Sequence, residues 1–204
     1  MFPTPLASEL SGASVGQLRH WCHTELLVPE GGTSPSYMYS FRDVLALRTV
    51  AKLRSDLSLQ KVRQAFHGLE ERDLTAHPSS YTLVAQGGTV FLLDDGEAVD
   101  LLADPRQIEF KLSLADIFRP FKNRFGKQVV DFERPRRHLA VREQRLGGWP
   151  TIADTRVPYD QVASLMVDVP AEQVSLFYPG VSARAARDAL DFAQSVSRAK
   201  EAVA

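Results

Sequence analysis

One cysteine, Cys22, stands among 204 residues. That count excludes an internal disulfide and a multi-cysteine zinc cluster, and it fits a reducing compartment. No apolar run reaches the length of about 18 residues that a membrane span needs, so no membrane partner is expected. A surplus of either charge is also missing: 24 Lys and Arg face 25 Asp and Glu, a formal net charge of −1. Nucleic-acid binders are often strongly basic, so any DNA-binding role here has to rest on local geometry. The start, Met1-Phe2-Pro3-Thr4, lacks the basic and apolar regions of a signal peptide, and a cytoplasmic protein is expected. There is no Gly-rich phosphate loop, nucleophile elbow or His-rich metal helix. The expectation is a non-enzyme with no metal and no cofactor.

What is present is ordinary globular composition, 44% hydrophobic and 24% charged, with its charge unevenly placed. Residues 1–73 carry eight basic and eight acidic groups, and 74–105 carry five acids and no Lys or Arg. Residues 106–145 carry eleven basic groups against five acids, and 146–204 five against seven. The chain therefore has a basic middle.

Start and stop signals predict short helices in the first stretch. Thr4-Pro5 opens one containing Leu6 and Leu10, and Gly12-Ala13 breaks it. Ser14-Val15-Gly16-Gln17 is a capping box for a second, from Val15 to His23. Its Val15, Leu18 and Cys22 form one apolar stripe, with Gln17, His20 and Arg19 on the other side. Trp21 reads as a core plug, and Cys22, about 200° around the helix from His20, as a small core residue rather than a metal ligand. A Gly, Ser and Pro-rich loop then leads to Tyr37-Met38-Tyr39. Ser40-Phe41-Arg42-Asp43 caps a longer third helix, and Ser58 a fourth with Leu59, Val62, Phe66 and Leu69.

The texture changes at Tyr81. The runs 81–85, 89–93 and 97–102, separated by Gly87-Gly88 and Asp94-Asp95-Gly96, predict a small antiparallel meander. The paired carboxylates Asp94 and Asp95 belong to its turn rather than to catalysis. A fourth strand over Gln107 to Leu112 and a helix capped by Ser113, with Leu114, Ile117, Phe118 and Phe121 on one face, follow; Pro120 limits that helix. Arg134, Arg136 and Arg137 read as a solvated basic connector, and His138 to Val141 as a short strand. Pro158, Pro170 and Ser182 each stand where a helix begins, the last running through Ala186, Ala189, Leu190 and Ala193. Arg156 lies in an extended piece with Asp154 and Asp160 near it, either a local ion pair or a contact with a partner chain. The fold class is α+β: a helix-turn-helix unit over 1–73, a β-rich middle over 74–145, and a small all-α unit over 146–204.

From Leu6 to Leu69 the parts resemble the MerR-type winged helix-turn-helix family: Leu6-Ala7, Ser14-Val15, Leu18-Arg19-His20-Trp21, Leu26-Leu27-Val28-Pro29, Tyr39-Ser40, Asp43-Val44, Leu47, Leu57-Ser58-Leu59 and Val62-Arg63. The resemblance implies that the second helix enters the major groove and that the following loop acts as a wing on the backbone. It implies a DNA-facing set of Ser14, Gln17, Arg19, His20, Tyr37 and Tyr39, with Arg19 on phosphate, Gln17 and His20 in the groove and Tyr39 in the wing. Two positions depart from the family pattern. Gly16 stands where a side chain often reaches base edges, and Tyr37 where the wing usually offers an arginine.

A second resemblance lies in Gly148-Trp149-Pro150-Thr151-Ile152-Ala153-Asp154-Thr155-Arg156-Val157-Pro158, Val169-Pro170-Ala171-Glu172-Gln173-Val174 and Phe177-Tyr178-Pro179-Gly180-Val181-Ser182. These are similar to the domain of unknown function 433, which resembles antitoxins paired with PIN-domain ribonuclease toxins. The layout implies an autorepressing antitoxin that binds a palindromic operator in double-stranded DNA as a homodimer and neutralises a PIN-domain toxin. Arg156, Arg198 and Lys200 are its partner-binding candidates, the last two covering the toxin's acidic metal cleft. The alternatives are a MerR-like regulator whose middle binds an effector or another protein, and an interaction scaffold that no longer reads DNA.

Overall fold

A computed structural model of the chain describes residues 1–71, 74, 76–94, 97–102 and 115–201. It opens with strand β1 (Phe2–Pro3), helix α1 (Thr4–Ser11) and helix α2 (Val15–His23). Pro5 sits in the first turn of α1, where a missing N–H costs nothing, and Gly12 ends the helix at φ 81° with its N–H returned to Ser8 O. Only glycine fits there, since a Cβ would lie 2.3 Å from a Val129 methyl. The capping box of α2 forms as expected: Ser14 Oγ accepts from Gln17 N and Gln17 Oε1 accepts from Ser14 N. Its buried stripe differs from the expected one. Val15, Leu18 and Trp21 are buried, and Cys22 is only half-buried. The chain folds back beyond the helix so that Leu26 and Leu27 both donate to Trp21 O, which closes the core over the indole rather than the thiol.

Strand β2 (Met38–Tyr39) pairs antiparallel with β1, Phe2 opposite Tyr39. Helices α3 (Phe41–Asp56) and α4 (Leu59–Glu70) follow, capped by Ser40 and Ser58. Strands β3 (Thr82–Gln86), β4 (Thr89–Asp94) and β5 (Glu97–Asp100) form the meander in sequence order. Asp94 faces Glu97 across the second turn, whose Asp95 and Gly96 lie outside the described residues, as do Gln107 to Ser113 and Leu114. The helix expected through Phe121 is a single turn, α5 (Ala115–Phe118). Pro120 stops it, and Phe121 instead starts β6 (Phe121–Lys122), paired with β7 (Gln128–Val129). Two-residue strands β8 (Leu139–Ala140) and β9 (Thr151–Ile152) pair next. Then come α6 (Tyr159–Leu165), α7 (Val174–Phe177) and the long α8 (Ala183–Glu201). Ser182 Oγ accepts from Ala185 N at the start of α8.

These segments share one hydrophobic core running from Phe2, Leu6 and Leu10 through Val44, Leu47 and Val62 to Val162, Ala186, Ala189 and Phe192. Helix α8 packs on both α6 and α1, so the C-terminal helices brace the N-terminal ones. The alanines on its inner face permit that close approach. Trp149 links the two ends: its ring stacks on Phe2 at 6.2 Å and on Tyr159 at 6.3 Å, and its Nε1 donates to Asp160.

Two arginines take part in this welding. Arg48 of α3 is completely buried and donates to the carbonyls of Leu10, Ile117, Phe118, Arg119 and Val130, with its guanidinium over the Phe121 and Phe132 rings. Burial pushes it down to about 10, Asp131 opposing, so it stays charged at neutral pH. Arg136, expected in a solvated connector, instead donates to Asp191 and Ser195 of α8 and lies over Phe192. The connector is strapped to α8 because that helix offers a carboxylate and an aromatic face together.

Candidate nucleic-acid interface

Helix α2 has the amphipathic division that groove entry requires. Val15, Leu18 and Trp21 point into the core, and Gly16, Arg19, His20 and His23 are exposed. Positions 16, 19, 20 and 23 follow the i, i+3, i+4, i+7 rule, so they form one outward face. Gly16 leaves a gap in it, for a Cβ there would meet only Ser14 Oγ at 4.0 Å.

The expected DNA-facing residues divide under this geometry. Arg19 and His20 stand on the exposed face. Ser14 and Gln17 are engaged in the cap, with Gln17 Oε1 held 2.8 Å from Ser14 N. Gln17 is thus a helix-start residue, half-buried with its carbonyl oxygen taken by the cap. Tyr37 is half-buried against the end of α2, ring edge-on to His23 with the hydroxyl 3.4 Å from Nε2. Tyr39 is not available at all. The strand alternation that half-exposes Met38 turns Tyr39 inward to complete burial, and burial raises its hydroxyl above the usual phenol range. That hydroxyl has no hydrogen-bond partner among the described residues.

Most cations of the first stretch are already engaged. Arg42 pairs with Glu30, Arg48 is buried, and Arg54, Lys61 and Arg63 donate to Leu57 O, Gly88 O and Thr24 Oγ1. The Lys52 ammonium lies 5.8 Å over the Phe121 ring. Among the described residues of this stretch, Arg19 is left with a guanidinium that makes no hydrogen bond or ion pair inside the protein.

A clasp invisible to sequence reasoning holds the loop between α2 and α3. Asp43 Oδ2 accepts from Glu30 N at 2.9 Å and Ser40 N at 2.7 Å, and Oδ1 lies 3.1 Å from His77 Nε2. Glu30, Asp43 and His77 each place a possible ligand atom within 4.8 Å of the others. The donor chemistry does not suit a metal. His77 Nδ1 accepts from Ser79 N, which puts the ring proton on Nε2, where it donates to Asp43 rather than offering a lone pair. The cluster is a hydrogen-bonded strap tying loop, α3 and the approach to the meander.

The partner-binding candidates lie apart from one another. Arg156 is exposed and pairs with neither Asp154 nor Asp160; Asp160 is engaged by Trp149 Nε1. It lines a hollow of about 480 Å³ with Arg142, Gln144, Arg145, Asp154 and Thr155. Arg198 leans on Ser195 Oγ in the last turns of α8, where Lys200 is exposed. A separate cleft of about 660 Å³ opens between the turn after α2, α4 and the segment following α4, lined among others by Leu26, Phe66, Leu74 and Tyr81. No helix of the described residues is long and apolar enough to cross a membrane.

Against known families, residues 6–69 match the MerR HTH family regulatory protein family and residues 140–193 the protein of unknown function DUF433. Proteins named uncharacterized HTH-type transcriptional regulators, from Mycobacterium bovis and from two strains of Mycobacterium tuberculosis, are each 34% identical over 165 residues. The match takes in 78% of this chain and 66% of each relative, so it spans slightly less than two thirds of their length. No solved structure matches significantly.

Proposed function

We propose that the chain, whose residues 6–69 match the MerR HTH family and residues 140–193 DUF433, is a transcription regulator that binds duplex DNA as a homodimer. The observation that carries this reading is α2: a capped helix with a buried Val15, Leu18 and Trp21 stripe and an exposed Arg19, His20 and His23 face. Its outer face enters the major groove, Arg19 takes a phosphate, and the loop over residues 25–37 serves as the wing. Two heads on a palindromic operator supply the specificity that one short face lacks. Gel-shift titration on the DNA upstream of its own gene tests this. Arg19→Ala weakens binding to every duplex, whereas His20→Ala relaxes discrimination between the operator and a scrambled duplex. Variants that both bind like the parent remove α2 from the interface.

A second reading, the autorepressing antitoxin of a PIN-domain ribonuclease, is favoured by the exposed apolar side chains of the DUF433 stretch. Val167, Leu176 and Phe177 are 81%, 77% and 57% exposed. This reading requires a PIN-type nuclease encoded beside the gene. Co-expression of the two is expected to suppress RNA cleavage, and a chain truncated after Val196 that inhibits undiminished removes Arg198 and Lys200 from the contact. The effector-binding alternative instead places a small ligand in the cleft beside α4.

A further inference from the structure

We infer that the hollow walled by Arg142, Arg145 and Arg156 binds backbone phosphates of the same duplex that α2 engages, as a second DNA contact built from the DUF433 stretch. The inference rests on the DNA-binding reading and extends it to residues outside the helix-turn-helix.

Charge is the first support. Three arginines and one aspartate, Asp154, line the hollow. Arg142 leans on Glu133 at 3.1 Å, while Arg145 and Arg156 make no ion pair or side-chain hydrogen bond among the described residues. Such unspent guanidiniums on one concave surface suit an anion with several oxygens. The helix-turn-helix stretch shows the complementary shortage, with its described cations other than Arg19 engaged inside the protein.

The second support is rigidity. The arginines stand on two turns between β8 and β9 and just beyond β9, around residues 142–146 and 153–156. Arg145 N donates to Arg142 O, and Thr155 N and Oγ1 both donate to Ile152 O. Each turn holds a non-glycine residue in the left-handed region, Leu146 at φ 52° and Asp154 at φ 61°. Both residues are exposed, so it is the turn hydrogen bonds just named that set the backbone from which the arginines project.

The third support is a packed connection to the stretch that matches the MerR HTH family. Gly148, at φ 85°, lies flat against the ring of Phe41, the first residue of α3, where a Cβ would fall 2.2 Å from the ring. Trp149 stacks on Phe2 of β1, β1 pairs with β2, and Tyr37 just before β2 touches His23 at the end of α2. A continuous run of contacts therefore joins the segment next to the hollow to the loop and helix ends that flank α2.

The test uses the full chain and two fluorescein-labelled 40-base-pair duplexes, one from upstream of its own gene and one scrambled, read by anisotropy across a salt series. The triple variant Arg142→Gln, Arg145→Gln, Arg156→Gln is expected to bind both duplexes more weakly. Its slope of log K against log salt should be shallower by about 0.9 for each phosphate no longer neutralised, roughly 2 to 3 per protomer. Arg156→Glu alone moves in the same direction, and because that side chain makes no internal bond it leaves the melting curve unchanged. Parental slope and affinity in both variants overturn the inference while leaving the DNA-binding reading intact. A parent that binds neither duplex overturns that reading and the inference with it. Parental duplex binding in the variants, together with abolished binding to a labelled hexaglutamate peptide, assigns the hollow to an acidic protein segment instead and also overturns it.

Discussion

Arginine appears in two contrasting settings, the interior of α3 and the hollow beside β8 and β9. Arg48 is buried and surrounded by five carbonyl acceptors and two aromatic rings. Arg156 is exposed and touches no acceptor at all among the described residues. The same guanidinium is a structural fastener in one place and an open donor in the other. What separates them is whether the fold supplies oxygens at the right distance. Arg48 gathers carbonyls from the end of α1, the α5 turn and the residue after β7 onto one side chain.

The largest expected effect comes from breaking the first setting. Arg48→Met keeps much of the volume and removes every guanidinium donor from the Leu10, Ile117, Arg119 and Val130 carbonyls, while the Phe118 carbonyl keeps Phe132 N as its partner. Each buried carbonyl left without a donor costs about 1–3 kcal/mol, so losing several together removes a large part of a typical domain's stability. Urea unfolding is expected to show that drop, while Arg156→Met leaves the midpoint where it was. Equal effects at the two sites would erase the distinction between fastener and open donor.

A smaller effect sharpens the same contrast with histidines. His77 caps the turn over Pro78–Ser80 and donates to buried Asp43, whereas His67 is 70% exposed beside Glu70 and Glu71. His77→Ala is expected to destabilise by about 1–2 kcal/mol, the usual cost of a missing cap and an orphaned buried acceptor. The loop over residues 25–37 should also lose amide-exchange protection at Glu30, whose N–H shares the Asp43 carboxylate. His67→Ala is expected to leave both measurements unchanged.

What is legible in the sequence is mostly local. The capping boxes at Ser14 and Ser40, the stop at Gly12 and the meander order are all signalled within a few residues, and each forms. The exposed positions of Arg19 and His20 follow from helical period alone. Long-range partners are not legible. Nothing near Arg48 marks it for carbonyls some 70 and more residues away, and nothing near Arg136 marks Asp191 as its partner. Gln17 shows a subtler failure, because its residue type suits both the cap and the groove, and the cap takes its carbonyl oxygen. Trp21 is buried as a core plug should be, whereas Cys22 stays half-buried because the chain returns over Trp21, which depends on residues beyond the helix.

The smallest expected effect concerns Tyr39, which the family resemblance puts in the wing and the structure places in the core. Its hydroxyl is buried, has no partner among the described residues, and titrates above the usual range because burial disfavours the phenolate. A buried hydroxyl without a partner contributes desolvation cost and no bond, so its removal is close to neutral or slightly favourable. Tyr39→Phe is therefore expected to leave stability unchanged or raise it by up to about 1 kcal/mol, read by urea unfolding. DNA affinity and its salt slope should match the parent, in contrast to Arg19→Ala. Equal stability with weaker DNA binding would show that the Tyr39 hydroxyl swings out to the duplex, and the β1–β2 pair would then be a hinge rather than a fixed edge of the core.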